Sequence, residues 1–260
     1  MSVDIVIPLG NGSSWHNNEL MYCLRGIEKH LGNYRNIYII GKKPEWLTKD
    51  IVDYPHDATG SAWDKFNHER NIYEKIKFAC NLSEVSERFL FMNDDHFLTA
   101  DTDAATYPYY YRFTLDEKIT ARTRPDAYAI SMRNTRDLLP PGRRNYFDIH
   151  APIMYRKEEF IRVNSQVNWN KPMGYVIKSL YCNMLGIDGI VMSDLKMKGG
   201  LKYDDMKRKI ANRHVFSIAD SAINQPGQPL ERLMNELYPE PSRWEVKDRV
   251  KSGRVKAYTG

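Results

Sequence analysis

Phe89-Leu90-Phe91-Met92-Asn93-Asp94-Asp95-His96-Phe97-Leu98 holds the sharpest change of character in the chain. The apolar run Phe89 to Met92 has the length and aromatic content of a buried strand. It breaks into two adjacent carboxylates and a histidine, then turns apolar again. A strand ending in this way delivers Asn93, Asp94, Asp95 and His96 to the carboxyl edge of a sheet, where open α/β sheets bind ligands. Oxygen ligands of this kind suit a hard cation, Mg2+ or Mn2+, which in turn binds phosphates. The alternative is a polar turn, because Asn and Asp favour turns for backbone reasons of their own.

Upstream, strands and helices alternate. Val3-Asp4-Ile5-Val6-Ile7-Pro8 reads as a strand that Pro8 ends. Leu9-Gly10-Asn11-Gly12-Ser13-Ser14 is a loop of small residues that lets a ligand approach the backbone, or an ordinary connection. It is neither a Walker A loop nor GxGxxG. Residues 19–30 have helical spacing, with Leu20, Cys23, Leu24 and Ile27 on one face. Asn36-Ile37-Tyr38-Ile39-Ile40-Gly41 reads as a second strand, and Asp53-Tyr54-Pro55 as a short edge strand. A helix is predicted from Lys65 or Asn67 to Asn81. Lys65, Asn67, Arg70 and Asn71 gather at its start, where an anion is favoured; a solvated charged surface is the alternative. The alternation predicts an α/β fold with a mainly parallel central sheet flanked by helices, one domain over residues 1–245. Residues 246–260 read as a basic tail.

Downstream, Tyr107-Pro108-Tyr109-Tyr110-Tyr111 precedes Arg122, Arg124 and Arg133. Aromatic rings beside arginines stack on sugars or bases, or else pack an insertion against the sheet. In Tyr146-Phe147-Asp148-Ile149-His150-Ala151-Pro152-Ile153-Met154-Tyr155, a strand would put Asp148 and His150 on one face. A carboxylate beside an imidazole orients it as a base; a structural histidine is the alternative. Ile190-Val191-Met192-Ser193-Asp194-Leu195-Lys196 reads as a further strand, whose Asp194 or Lys196 would approach the edge that carries Asp94 and Asp95.

A hydrophobic fraction of 42% with 12% aromatic residues is enough for a real core. No apolar run reaches the ~18 residues of a membrane span. The strand pattern begins at Val3, so no signal peptide and a cytoplasmic location are expected. Cys23, Cys80 and Cys182 are widely spaced in apolar surroundings and form no CxxC, the pattern of reduced buried thiols. A net charge of +5 favours anionic partners.

On Asn93-Asp94-Asp95-His96 at a strand end, the chain resembles the GT-A class of glycosyltransferases. It is also similar, in blocks, to Stealth-type sugar-phosphate transferases and a related group of small phage and bacterial proteins. Those blocks are Arg35-Asn36-Ile37-Tyr38-Ile39-Ile40, Lys43-Pro44-Glu45-Trp46-Leu47, the Phe89 to Leu98 stretch, Tyr146 to Pro152, and Leu237-Tyr238-Pro239-Glu240-Pro241-Ser242. The resemblance implies a GT-A-like, metal-dependent transfer of a sugar from a nucleoside diphosphate sugar, above all a UDP-sugar, to an acceptor hydroxyl. Pro8, Leu9, Gly10 and Asn11 would hold the nucleoside. Lys65, Asn67 and Arg70 would lie near the diphosphate or donor sugar, with Asn93 and Asp94 in the same donor site. Asp95 with Asp94 would bind Mn2+ or Mg2+, and His214 is a further candidate metal ligand. His150, Asp148 or Asp194 would contact or deprotonate the acceptor. Among phage enzymes, small transferases that glycosylate hydroxymethylcytosine, or a sugar already on it, fit the length and charge. They imply duplex DNA carrying modified cytosine as a partner, in the host cytoplasm. Two alternatives stand beside this: a Stealth-type sugar-phosphate transferase acting on a glycan, and a non-enzymatic nucleic-acid or glycan-binding protein.

Overall fold

Val3–Pro8 forms the middle strand of a five-stranded sheet in a computed structural model that describes residues 2–56, 68–122, 126–223, 225 and 228–246. On one side it pairs in parallel with Tyr34–Ile40, which pairs in parallel with the edge strand Val52–Tyr54. On the other side it pairs in parallel with Arg88–Phe91. The fifth strand, Ile153–Arg156, runs antiparallel to Arg88–Phe91, with Phe91 opposite Ile153. The fold is the expected α/β arrangement, a mainly parallel sheet flanked by helices.

The inner strands feed two cores because side chains alternate across the pleat. Ile5, Ile7, Ile37, Ile39 and Leu90 enter one apolar cluster, covered by the helices Asn18–His30 and Pro229–Leu237. Val6, Tyr38, Ile40, Phe89 and Phe91 enter the other. That face is covered by His68–Cys80, Lys157–Asn164 and Ile177–Leu185. Cys23, Cys80 and Cys182 are buried free thiols within these layers. Among the described residues no helix is long and apolar enough to cross a membrane.

A second, three-stranded sheet lies beside the first. Val215–Ile218 pairs antiparallel with Phe97–Leu98 and parallel with Lys196–Met197. Its register sets Ser217 opposite Lys196, next to the turn that follows Phe91.

Two expectations are corrected. Residues 146–152 are not strand, with bends at 149–151; the strand begins only at Ile153. Asp148 and His150 therefore do not share a strand face, and each side chain finds a different partner. Residues 190–196 are likewise not one strand but the two-residue pieces Ile190–Val191 and Lys196–Met197, with Asp194 between them.

Asp4 ties the amino ends of the parallel strands together. Its carboxylate is fully buried. It accepts from Arg35 Nε and Nη2 at 3.0 and 2.6 Å, from Asn36 N at 3.0 Å and from Ser86 N at 2.6 Å. Burial pushes the carboxyl up, but the donors on Arg35 and Ser86 more than offset it and hold it below its ordinary 3.8. A carboxylate held low in the folded chain contributes stability above its ordinary value and loses it as the pH falls through the lowered one. Asp4→Asn is expected to cost about 2 kcal/mol at neutral pH. Urea unfolding of both chains across pH measures this. The gap should close as the pH falls through the lowered value; a gap unchanged in acid would contradict the assignment.

Candidate functional site

The parallel strands release their carboxyl ends into one crevice. There the chain after Phe91 turns sharply: His96 N donates to Asn93 O at 3.2 Å, and Asn93 N donates to His96 Nδ1 at 3.2 Å. The imidazole is fully buried, and burial, then the nearby Lys178, keeps it neutral. His96 thus braces the turn from below, leaving Asn93, Asp94 and Asp95 on the crevice side. Asp95 Oδ2 accepts from Ser217 Oγ at 2.6 Å and lies 3.8 Å from Lys196 Nζ. Burial raises the Asp94 carboxyl, and the charges of Asp95 and Glu19 raise it further. Glu19, itself raised by burial, accepts from Ser13 Oγ at 2.8 Å.

Two adjacent carboxylates that repel each other suit a divalent cation. Among the described residues no three His, Cys, Asp or Glu side chains converge as a complete metal shell. As hard oxygen donors, Asp94 and Asp95 could hold a cation such as Mn2+ or Mg2+.

The loop after the first strand is held tightly. Buried Lys75 donates to Leu9 O at 2.6 Å. Gly41 approaches the same carbonyl from the other side; it has a φ of 143°, and a Cβ there would sit 2.2 Å from Leu9 O. A side chain at position 41 would push the loop out of place. Leu9, Gly10 and Asn11 line a cavity of about 200 Å3. It shares Gly10, Asn71 and Lys75 with a second of about 420 Å3 that also contains Pro8, Asn93, Asp94 and Asp95. This in turn shares His68, Ile72, Asn93 and Lys196 with a third of about 600 Å3. The three adjoin along the sheet edge through these shared residues.

The third cavity contains His150, Asp194 and Asp148. His150 Nδ1 lies 3.1 Å from both carboxylate oxygens of Asp194, and His150 N donates to Asp194 Oδ1 at 3.0 Å. Burial pushes Asp194 up, and the bonds from His150 more than offset it. A carboxylate on Nδ1 fixes the proton there and leaves Nε2 with its lone pair. The carboxylate beside His150 is thus Asp194, not Asp148. Asp148 instead accepts from Lys178 N at 3.0 Å, Ser179 N at 2.9 Å and Ser179 Oγ at 2.5 Å. It caps the start of the Ile177–Leu185 helix from a distant loop. Glu69 also lines this cavity; burial and then Asp148 push its carboxyl up to about 8, and Lys178 opposes them.

Of the remaining predicted residues, Lys65 and Asn67 lie outside the described residues. Arg70 lines none of the three cavities. His214 is not brought to the aspartates. It precedes Val215–Ile218 at the end away from Ser217, about 10 Å along the strand, and its ring packs 5.0 Å from that of Tyr110. Sequence reasoning missed Glu19, Glu69, Lys75 and Ser217. Lys75 carried a signal: it falls three residues after Ile72 and four before Ala79, a lysine inside an apolar helical stripe.

No family model and no curated protein matches the sequence. Among solved structures, the chain superposes on the galactosyltransferase LgtC, solved with donor and acceptor sugar analogues. The TM-score is 0.51 at 13% identity, over 95% of this chain and 99% of that one. An active-site mutant of LgtC gives 0.49 at 13% identity, with the same coverage. The glycosyltransferase GlyE of Streptococcus pneumoniae TIGR4 gives 0.39 at 12%, over 95% of this chain and 66% of that one. The first superposition shows the fold: this chain has the α/β architecture of a glycosyltransferase.

The two residues of the 148–150 stretch should separate by phenotype. Asp148→Ala is expected to destabilise the fold by about 2–3 kcal/mol, since three donors lose their acceptor. His150→Gln should stay within about 0.5 kcal/mol of the parent. Urea unfolding tests both, and equal losses would contradict the division of roles.

Proposed function

We propose that the protein is a metal-dependent glycosyltransferase that moves a sugar from a nucleoside diphosphate sugar, a UDP-sugar above all, to an acceptor hydroxyl. One observation carries this reading: adjoining cavities follow one another from a small-residue loop, past the Asp94–Asp95 pair, to the His150–Asp194 pair. The nucleoside lies along Leu9, Gly10 and Asn11, and the diphosphate beside Lys75 and Lys196. Asp94 and Asp95 would hold Mn2+ or Mg2+, which would neutralise charge on the departing diphosphate. The transferred sugar extends past Asn93 into the larger cavity. His150 takes the acceptor proton on Nε2, and Asp194 stabilises the imidazolium that results. The superposition on LgtC, whose structure holds donor and acceptor analogues, supports the fold on which this rests. The acceptor implied by the sequence resemblance, hydroxymethylcytosine or a sugar on it in duplex DNA, draws its support from that resemblance and from the net charge of +5.

The test is a screen of nucleotide sugars with Mn2+, following nucleotide release. At least one donor should be turned over to the nucleoside diphosphate, and Asp95→Asn should lower the rate about a hundredfold or more. Release of a nucleoside monophosphate would favour sugar-phosphate transfer instead. No turnover and no binding of any nucleotide sugar, with or without metal, would sink the proposal.

A further inference from the structure

Along the wall of the 600 Å3 cavity, aromatic rings carry a row of cations. Just outside the cavity lining, Arg112 Cζ lies 4.6 Å from the centroid of the Phe113 ring. Lys118 Nζ lies 4.9 Å from that of Tyr146 and 5.8 Å from that of Phe113. Arg122 Cζ lies 5.5 Å from that of Tyr128. The Tyr128 and Tyr146 hydroxyls are 2.9 Å apart, so these two rings form one surface. Lys198 lines the same cavity, close enough to Lys118 for their charges to oppose.

These cations are poorly neutralised. Arg122 pairs with Asp126. Among the described residues, Arg112, Lys118 and Lys198 are in no ion pair. Burial pushes the Lys118 ammonium down; Asp194 opposes this, and Arg112, Arg122 and Lys198 reinforce it. Asp194 is already engaged by His150. The backbone is strained at the same place: Phe113 has a φ of 68°, and its ring is 44% exposed beneath two cations.

We infer that this wall binds a phosphate group of the acceptor, holding it where the neighbouring hydroxyl meets His150. A phosphate offers three oxygens and up to two charges, which matches several converging cations; one carboxylate would leave most of them opposed. The cation–ring contacts hold the basic side chains in place before the ligand arrives, so less side-chain freedom is lost on binding. The inference rests on the glycosyltransferase reading only in calling this ligand the acceptor.

The experiment is equilibrium dialysis of the full chain against radiolabelled inorganic phosphate, with ionic strength held constant by chloride. No nucleotide sugar is present, so the outcome is independent of the donor screen. Phosphate should bind, and Lys118→Gln and Lys198→Gln should each weaken it about tenfold. Lys49→Gln, an exposed position elsewhere, should leave it unchanged. Lys198 is exposed, so its variant remains informative if Lys118→Gln fails to fold. Competition by glycerol 3-phosphate would identify a monoester as the natural group, and competition by dimethyl phosphate a diester. Absence of phosphate binding overturns the inference. So does binding that survives both substitutions but is lost in Lys196→Gln, which would place the ion on the donor side.

Discussion

Val3–Pro8, Tyr34–Ile40 and Arg88–Phe91 run parallel, so all three release their chains at the same edge of the sheet. Ile153–Arg156 runs against them and therefore enters from that edge. One reversal of direction thus brings residues 148–152 beside the turn after Phe91, although some fifty residues separate them in sequence. Had the last strand been parallel, His150 would sit at the opposite end, next to Asp4. Strand direction here does the assembling, and the packed faces on either side hold it, because the three central parallel strands and Ile153–Arg156 are each committed to two cores.

Charge then decides what the edge can do. Asp94, Asp95 and Glu19 crowd together, with Lys75 and Lys196 close by. Lys75 spends a hydrogen bond on Leu9 O, and Lys196 lies against Asp95. Like charges held this close at reduced hydration are costly unless a ligand offsets them. A divalent cation bridged by a diphosphate satisfies both signs at once. At the far end of the cleft the imbalance is reversed: cations predominate around a carboxylate already bonded to His150. The two ends therefore differ in charge, as the separate donor and acceptor sites of the proposed transferase would.

Much of the fold was legible in the sequence because it depends on local pattern. The apolar runs at 3–8 and 36–40 and the stretch from Phe89 form the central strands, and the helix Asn18–His30 falls within a residue of where the spacing put it. The misreadings have tertiary causes. Residues 146–155 alternate like a strand, yet Asp148 is drawn off to the helix start at Lys178 and Ser179, thirty residues on. Two-residue strands such as Lys196–Met197 are too short to show any period. Within the site, Asp94 and Asp95 stood out because both lie in one turn. The partnership of His150 with Asp194 spans 44 residues and is set only when the loops meet. His214 looked like a ligand on residue type alone; its strand register carries it away to Tyr110.

The central claim is that Asp94 and Asp95 hold a divalent cation against the diphosphate of a nucleotide. A crystal soaked with Mn2+ and UDP, measured at the manganese edge, tests it directly. The account predicts one strong anomalous peak between these two carboxylates and the diphosphate, with the nucleoside along Leu9 to Asn11. A nucleotide bound elsewhere, or bound in this cleft with no metal at Asp94 and Asp95, would contradict it.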